Sequence, residues 1–311
     1  MILTLTLNTC LDRCLFVPSF ALNRKIRISQ TAIGMGGKPM VASWVLNVMG
    51  IPNLAMGFAA GPTGKEMKAL LDGRGIASDL VWVDGDTRSH TLIICEDGSG
   101  QSTLSVDTLV VEEKHLTDLL ERLQRHLGKA TCLVLGGSAP RGVPVDIYQE
   151  IIHLARAHGV PVVFDASSSY LALGIQASPT IVKVNNHELA ELLARPILSF
   201  EEAYHCCREL YEKYSTQVVL TFGEQGALAY LGDRSWIIPP LAVQAINTAG
   251  AGDAADAGLA LALSQGLSLE EGLRYAFAAA TAVLLMPATG DCRAEDIQTL
   301  LPQVRLIAYP G

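Results

Sequence analysis

The sequence predicts an α/β protein in which a doubly wound, mostly parallel sheet carries a small β-sheet lid. Half of the 311 residues are hydrophobic and only 17% are charged, a composition that suits a sheet buried on both faces. Short apolar strands also alternate with helical segments through the middle and end of the chain. This alternation is the order expected of a parallel sheet with helices on its faces.

The alternation is clearest in the second half of the chain, where apolar runs predict strands at 132–135, 160–164, 181–184 and 217–221. Asp165, Asn185 and Gly223 each follow one of these strands. Ligands of doubly wound sheets bind at the carboxyl ends of the strands. These three positions therefore mark the edge of the sheet where we expect a binding site.

Two segments interrupt this order and predict the smaller part of the protein. Residues 10–35 and 80–110 alternate apolar and polar side chains, as in Lys25-Ile26-Arg27-Ile28, and show no clear helical spacing. We expect them to pair as a β lid. The α/β domain would then consist of residues 1–9, 36–79 and 111–311.

Composition and charge exclude several classes of protein. The net charge of −8 is unlike the basic surface of most nucleic-acid-binding proteins. The longest apolar run, 276–286, is too short to span a bilayer, and the first residues lack the basic segment of a signal peptide. The seven cysteines form no CxxC pair, and no Cys/His cluster has zinc-ligand spacing. We expect a cytoplasmic protein with reduced thiols and neither a nucleic-acid nor a membrane partner.

The stretch with the clearest chemistry is NTAGAGDAADAG, residues 247–258. Gly250, Ala251 and Gly252 turn the chain into an apolar helix, and Asp253 lies at the turn. Unpaired N–H groups and the helix dipole make such a turn suitable for a phosphoryl group that gains charge. Asp253 would accept the proton of an attacking hydroxyl, which predicts a kinase without a Walker A lysine. The alternative is that Asp253 only caps the helix.

A second glycine turn and three cations are candidates for substrate binding. Gly36 and Gly37 precede Lys38 at the start of a helix, where glycine allows close approach of the backbone to a ligand. Lys25, Arg27 and Arg88 lie in the predicted lid and would hold a phosphate on the substrate. The alternative for these cations is a solvated strand face.

Two further motifs suit the binding of a nucleotide and a metal. Asn185 and Glu188 would present an amide and a carboxylate to a metal–phosphate unit, or else form a helix-capping box. Thr221, Gly223 and Gly226 form a TxGxxG turn whose backbone N–H groups would face nucleotide phosphates. The same turn is also typical of a simple hairpin.

In their order along the chain, these motifs resemble those of the ribokinase-like sugar kinase family. The resemblance is strongest to the branch that contains 1-phosphofructokinase, tagatose-6-phosphate kinase and the minor type of 6-phosphofructokinase. Residues 6–13 resemble the opening TLNPALD of this branch, 136–143 its GSLPPGV, 183–189 its KPNxxEL and 287–290 its PGTG. The resemblance covers essentially the whole chain.

The resemblance implies an ATP- and Mg²⁺-dependent carbohydrate kinase that phosphorylates the primary hydroxyl of a ketose phosphate: fructose 1-phosphate, fructose 6-phosphate or tagatose 6-phosphate. It implies that Asp253 is the base and that the turn Gly250, Ala251, Gly252 is the anion hole. The implied substrate-binding residues are Asp12, Lys25, Arg27, Gly36, Gly37, Lys38, Arg88 and Ser138. The implied nucleotide-binding residues are Lys183, Asn185, Glu188, Thr221, Gly223, Gly226, Thr248 and Gly290, with Asn185 and Glu188 also placing the metal. Pairing of lids would form a homodimer.

The chain departs from the family pattern mainly on the sugar side. Val41 replaces the asparagine of GGKGxN, and His90 replaces the asparagine of TRxN. The NxPG stretch of the lid is absent near Ser105–Asp107, and Asn247 stands where many members have Asp or Ser. Two alternatives therefore stay open: a kinase of an unphosphorylated sugar or nucleoside, and a sugar-phosphate-binding protein without turnover.

Overall fold

The structure is a computed structural model and describes residues 1–310. The strands are β1 (Ile2–Thr6), β2 (Cys10–Val17), β3 (Gln30–Gly36), β4 (Asn53–Ala59), β5 (Ala77–Trp82), β6 (Arg88–Cys95), β7 (Gly100–Leu104), β8 (Cys132–Gly136), β9 (Val162–Asp165), β10 (Ile181–Asn185), β11 (Gln217–Thr221), β12 (Ala227–Tyr230), β13 (Ser235–Ile238) and β14 (Ile307–Ala308). The helices are α1 (Lys38–Val48), α2 (Gly61–Gly73), α3 (Glu113–Leu127), α4 (Ile147–Ala157), α5 (Ser168–Gly174), α6 (Asn186–Leu193), α7 (Phe200–Tyr214), α8 (Ala251–Gln265), α9 (Leu269–Leu284) and α10 (Ala294–Leu300).

A ten-stranded sheet forms the body of the protein, in the order β14-β13-β12-β11-β10-β9-β8-β1-β4-β5. The neighbouring strands of this sheet are parallel in the stretch β11-β10-β9-β8-β1-β4-β5. Strands β12, β13 and β14 continue the sheet in antiparallel pairing. Helices α3 to α7 pack on one face and α1, α8, α9 and α10 on the other. The predicted fold class is thereby confirmed.

Helix α8 is held in place by close packing against α9. The glycine Gly258 allows this contact, because a side chain there would collide with the backbone of Ala276. The many alanines of α8 let the two helices approach along their length, as small residues do wherever backbones pack closely. This packing directs the first turn of α8 toward the carboxyl ends of the parallel strands.

The separate small sheet has the order β3-β2-β6-β7, with β2 and β6 parallel. Its strands come from the two segments predicted to form the lid, although residues 80–82 belong to β5 of the large sheet. The predicted strand around Lys25 and Arg27 is wrong. The chain leaves β2 at Pro18, which lacks an N–H donor, and turns at Asn23, whose φ is +61°. Residues 18–29 are therefore an irregular connection.

The inner face of the small sheet packs against its own chain. Cys14, Phe16, Leu92 and Ile94 form a buried cluster that contacts Ala249, just before α8. Leu92 and Ile94 are buried because the inner face of the sheet covers the loop that leads into α8, and Val17 at the end of β2 is buried as well. The outer face is exposed instead at Ile33 (42%) and Leu104 (58%), with Leu15 and Ile93 half-buried between them.

No helix within residues 1–310 is long and apolar enough to cross a membrane.

Candidate active site

The first turn of α8 forms the centre of the candidate site. Gly250 adopts the left-handed conformation (φ +84°) and begins the helix. The first hydrogen bond of the helix runs from the N–H of Ala254 to the Gly250 carbonyl, at 2.8 Å. The N–H groups of Ala251, Gly252 and Asp253 therefore point out of the open end of the helix, as an anion site requires.

A buried ion network lies next to this turn, at the end of β9. Asp165 accepts hydrogen bonds from two lysines, Lys38 Nζ at 2.7 Å and Lys183 Nζ at 2.5 Å. Lys38 Nζ also donates to Glu188 Oε1 at 2.9 Å. A Cβ atom on Gly252 would lie 3.7 Å from Lys183 Nζ, so this ammonium group borders the N-terminus of α8. The network thus adds two positive charges to the anion-binding end of the helix.

The network sets the ionisation of Asp165 and Asp253 in opposite directions. Burial by itself would raise the pKa of Asp165, but Lys183 and Lys38 outweigh it and lower the pKa to about 2. Burial raises the pKa of Asp253 to about 6, the charge of Asp165 adds to the rise, and Lys38 and Lys183 limit it. One carboxylate is therefore a permanent counter-ion, whereas the other exchanges a proton near neutral pH.

Asp256, one turn further along α8, is fully buried, and neither of its carboxylate oxygens has a hydrogen-bond partner within residues 1–310. Lys183 Nζ lies 3.8 Å from one of them. Burial raises the pKa of Asp256 well above its usual range. This side chain adds a second proton-binding carboxyl group behind the turn.

Asn185 and Glu188 form the helix-capping box that was one of the two predicted alternatives. Asn185 Oδ1 accepts from the Glu188 N–H at 2.8 Å, and Glu188 Oε2 accepts from the Asn185 N–H at 2.9 Å. Amide and carboxylate oxygens are suitable ligands for Mg²⁺. However, Asn185 Oδ1 and both carboxylate oxygens of Glu188 already accept hydrogen bonds. The arrangement therefore fits a hydrated Mg²⁺ that these residues contact through water.

Residues predicted to bind the sugar lie on the small sheet and close to the end of β1. Asp12 is buried and lies 3.1 Å from His90 Nδ1. Gly36 packs directly against Asp12, because a side chain at Gly36 would collide with the carboxylate. The acid predicted to hold sugar hydroxyls is therefore held by residues from three strands of the small sheet.

Ser138 and Arg88, two of the residues predicted to bind the substrate, each form a hydrogen bond with Asn8. The amide of Asn8 donates to Ser138 Oγ at 3.1 Å, and Arg88 Nη2 donates to the Asn8 carbonyl at 3.1 Å. Arg88 Nη1 also lies 3.5 Å from the exposed carboxylate of Asp107. The guanidinium of Arg88 is thus fixed at the edge of the candidate sugar site.

The small sheet is attached directly to the turn before α8. Gln101 Oε1 of β7 accepts from the Thr248 N–H at 3.2 Å, and Asn247 Nδ2 lies 3.5 Å from Cys14 Sγ of β2. Gly290 packs against Gly250 on the other side of the same turn. The small sheet and the turn before α8 therefore form one connected structure.

Other predicted residues take different positions. Lys25 and Arg27 are exposed in the connection between β2 and β3. Gly226 (φ +94°) shapes the hairpin after β11, where a side chain would collide with the Ile238 carbonyl. Gly223 (φ +56°) begins the same turn next to Thr221 but faces open space. Lys38, predicted to bind the substrate, is paired with Asp165 and Glu188.

Two members of the site have no clear signal in the sequence. The strand pattern predicts only that Asp165 lies at the end of a strand, and its role as the counter-ion of two lysines depends on residues far away in the chain. The signal for Asp256 is weak, since it consists only of an acidic residue inside an otherwise apolar helix.

Comparison with known proteins identifies the family. The sequence profile of the pfkB family carbohydrate kinases matches residues 5–296, and the chain belongs to this family. It is 28% identical to 1-phosphofructokinase of Bacillus subtilis over 306 residues, covering 98% of this chain and 99% of the relative. It is 31% identical to D-tagatose-1-phosphate kinase of Bacillus licheniformis over 296 residues, covering 94% and 95%. The predicted resemblance and the prediction of a carbohydrate kinase are confirmed.

Solved structures agree with this assignment. Phosphofructokinase-2 from Escherichia coli, in complex with potassium, superposes with a TM-score of 0.89 at 26% identity, covering 97% of this chain and 98% of that one. A possible 1-phosphofructokinase from Thermotoga maritima superposes with a TM-score of 0.90 at 27% identity, covering 99% of both chains.

The raised pKa of Asp253 predicts a specific dependence of stability on pH. A carboxyl group whose pKa rises from 3.8 to about 6 on folding binds its proton more tightly in the folded state. Its contribution to stability is fully present below about pH 4 and is lost as the pH rises through 6. The wild type should therefore lose this contribution between pH 5 and pH 8, whereas Asp253→Asn has none to lose. The free energy of unfolding of Asp253→Asn, measured by urea denaturation, should rise by roughly 1 kcal/mol relative to that of the wild type over this range.

The matched control is Asp84→Asn, which removes an exposed carboxylate. Its difference from the wild type should be the same at both pH values. A constant difference for Asp253→Asn over the same range would contradict the raised pKa of this carboxyl group.

Proposed function

We propose that the protein is an ATP-dependent phosphotransferase that acts on the primary hydroxyl of a ketose phosphate. The observation that carries the proposal is the position of Asp253 at the open N-terminus of α8, beside the ammonium group of Lys183. This arrangement combines a proton acceptor, three unpaired N–H groups and a cation within one turn. Phosphoryl transfer needs mainly positioning and charge stabilisation, and these groups supply both.

Asp253 acts as the base in this proposal. With a pKa of about 6, its carboxylate is ionised at neutral pH yet basic enough to accept the proton of the sugar hydroxyl. The hydroxyl oxygen then forms a bond to the γ-phosphorus of ATP, while the bond from that phosphorus to the β,γ-bridging oxygen breaks and ADP leaves. The N–H groups of Ala251, Gly252 and Asp253 stabilise the charge on the transferring phosphoryl group.

The nucleotide would approach along the carboxyl ends of β10 and β11. Thr221 and Gly223 follow β11, Gly290 packs against Gly250, and an added side chain at Gly223 would meet no other residue. Lys183 would contact the phosphate chain. When bound, Mg²⁺ would neutralise charge on the β- and γ-phosphates, and Asn185 and Glu188 would hold it through water.

The substrate would bind between Asp12 and Arg88. The carboxylate of Asp12 accepts hydrogen bonds from sugar hydroxyls, and the guanidinium of Arg88 pairs with a phosphate. Lys25 and Arg27 are exposed on the neighbouring connection and remain candidates for the same phosphate. The relatives named for fructose 1-phosphate and tagatose 1-phosphate chemistry support a phosphorylated ketose.

Replacing the proposed base tests the mechanism. Asp253→Asn should lower kcat by about 10²- to 10⁴-fold, the usual effect of losing a general base, because the amide cannot accept the proton. Coupled measurement of ADP release under saturating ATP and sugar phosphate reports kcat. Asp84→Asn should retain the wild-type rate. Near-normal turnover of Asp253→Asn would rule out its role as the base.

A substrate panel tests the phosphate clamp. Fructose 1-phosphate, fructose 6-phosphate, tagatose 1-phosphate and tagatose 6-phosphate should be phosphorylated in preference to fructose, ribose and nucleosides. Arg88→Ala should raise KM about 10- to 100-fold for the phosphorylated sugars, the effect of losing a hydrogen bond to a charged group. Arg208→Ala, on the exposed side of α7, should leave KM unchanged.

The panel also distinguishes the alternatives. Faster turnover of free sugars or nucleosides would contradict the clamp at Arg88. Background ATP consumption with every compound, together with tight binding of a sugar phosphate in calorimetry, would indicate a binding protein without turnover.

We also propose a homodimer through the outer face of the small sheet. This face exposes Ile33 and Leu104 beside the half-buried Leu15 and Ile93, and an apolar patch on a small sheet favours a partner. A tetrameric inhibited form is described for phosphofructokinase-2 of Escherichia coli, which supports self-association in this family.

Light scattering at micromolar concentration tests the dimer. The mass should be twice that of the 33.2 kDa chain, and Ile33→Glu should shift it toward the mass of one chain because a charge then enters the interface. Leu198→Glu, at an 81% exposed leucine outside this sheet, is the control and should remain dimeric. A wild-type mass near 33.2 kDa, unchanged by sugar phosphate, would contradict the dimer.

A further inference from the structure

Three metal-binding side chains meet on the inner face of the small sheet. Cys10 and Asp12 are two residues apart on β2, so their side chains lie on the same face of the strand. His90 lies directly beside Asp12 on the parallel strand β6. On the other side, Gly34 and Gly36 of β3 present no side chains that would fill the space. One ligand atom from each of Cys10, Asp12 and His90 lies within 4.8 Å of the other two.

Two of the three distances among these atoms are close to those of a tetrahedral zinc site. Cys10 Sγ lies 3.4 Å from Asp12 Oδ1, and His90 Nδ1 lies 3.1 Å from the same oxygen. Ligand atoms bound to Zn²⁺ at 2.0–2.3 Å in tetrahedral geometry are separated by about 3.2–3.6 Å. Small movements of the side chains would therefore place all three atoms around one ion.

The donor set selects a soft divalent cation. Thiolate and imidazole ligands suit Zn²⁺, whereas Mg²⁺ prefers oxygen ligands and keeps its water. The charges also balance, because a thiolate and a carboxylate neutralise Zn²⁺. The complex then carries no net charge beside Arg88, which lies next to Cys10 on β6. Because the thiol is neutral before the ion binds, binding raises the charge of the site by one, and the cation of Arg88 opposes this change in part.

We propose that Cys10 Sγ, Asp12 Oδ1 and His90 Nδ1 bind one Zn²⁺, and that the bound ion blocks the sugar site by occupying the carboxylate of Asp12. Two of the three ligands are departures from the family motifs, since Cys10 stands at an alanine of TLNPALD and His90 at the asparagine of TRxN. The inhibitory part rests on the proposed function, because it assumes that Asp12 binds the sugar.

Binding of the ion involves a defined movement of protons. Zinc binds the thiolate form of cysteine, so the thiol of Cys10 must lose its proton when the ion binds. When the zinc–sulfur bond forms, this proton leaves to the buffer. The imidazole binds through the lone pair of Nδ1 and carries its proton on Nε2, a buried atom with no hydrogen-bond partner within the described chain.

The sequence prediction of no zinc site rested on the spacing of Cys and His along the chain. His90 lies in a segment far from Cys10, and only the pairing of β2 with β6 brings the two together. A competing explanation is that the thiol and the imidazole serve only as hydrogen-bond donors that orient Asp12. The experiment below separates the two explanations.

Titration calorimetry with ZnCl₂ alone, on protein freed of metal by chelation, measures the binding. The wild type should bind one Zn²⁺ per chain, with a heat that depends on the ionisation enthalpy of the buffer because a proton is released. Cys10→Ser and His90→Asn should each weaken binding by at least about 10-fold, since each removes a ligand. Cys95→Ser removes a more accessible thiol of the same sheet and should leave the affinity unchanged.

Cobalt provides a spectroscopic measurement of the sulfur ligand. Co²⁺ added to the wild type and to Cys95→Ser should produce a near-ultraviolet sulfur-to-metal charge-transfer band, and Cys10→Ser should not. Circular dichroism confirms that each variant is folded. Equal zinc affinity in Cys10→Ser and the wild type, or a missing charge-transfer band, would overturn the site and favour the explanation based on hydrogen bonds.

Competition with the sugar tests the inhibitory part. In a buffer that fixes free Zn²⁺, saturating zinc should raise the Kd of fructose 1-phosphate at least about 10-fold for the wild type and leave it unchanged for Cys10→Ser. An unchanged Kd in the wild type would overturn the block. Phosphoryl transfer measured without zinc tests the proposed function separately, because its failure would leave the zinc titration unaffected.

Discussion

The ion pair between Asp165 and two lysines is the interaction on which the rest of the site depends. It joins the end of β9 to Lys38 at the start of α1 and to Lys183 in β10, and Lys38 extends it to Glu188 on α6. Two ammonium groups that are largely removed from water need an ionised carboxylate as their counter-ion. The low pKa of Asp165 keeps its carboxylate ionised. Without this carboxylate, the buried ammonium group of Lys183 and the half-buried one of Lys38 would both lack a counter-ion at the end of β9.

The same network explains how Asp253 can exchange a proton near neutral pH. Burial and the charge of Asp165 raise its pKa, and the lysines keep the rise moderate. Without the two lysines, the carboxyl group of Asp253 would stay protonated at neutral pH. In a more exposed position its pKa would stay near the usual value, and the carboxylate would be a weak base. The buried position of Asp256 adds another carboxyl group to the same balance, so the charge of the site depends on several groups together rather than on one pair.

The small sheet is attached to the turn that begins α8. The Thr248 N–H donates a hydrogen bond to Gln101 Oε1, and Cys14 and Phe16 pack on Ala249. Two side chains that depart from the family motifs, Cys10 and His90, lie on the inner face of this sheet beside Asp12. Residues 248–253 of the turn retain the family motif, and Asn247 before them departs from it.

Local sequence determined the elements of this protein, and tertiary structure decided the partners of its charged groups. The strand–helix alternation, the glycine turn before α8 and the Asn185–Glu188 capping box are local patterns, because propensities, caps and turns act over a few residues. These patterns predicted the fold class, Asp253 and the edge of the sheet that carries the site. The alternation of apolar and polar residues wrongly predicted a strand at Lys25. The strand β2 ends before it, because a proline follows the strand and an asparagine in the left-handed conformation turns the chain. The pairing of Asp165 with Lys38 and Lys183, the burial of Asp256 and the meeting of Cys10 with His90 join residues that are distant in sequence. Such contacts depend on strand order and register, which only the folded sheet establishes.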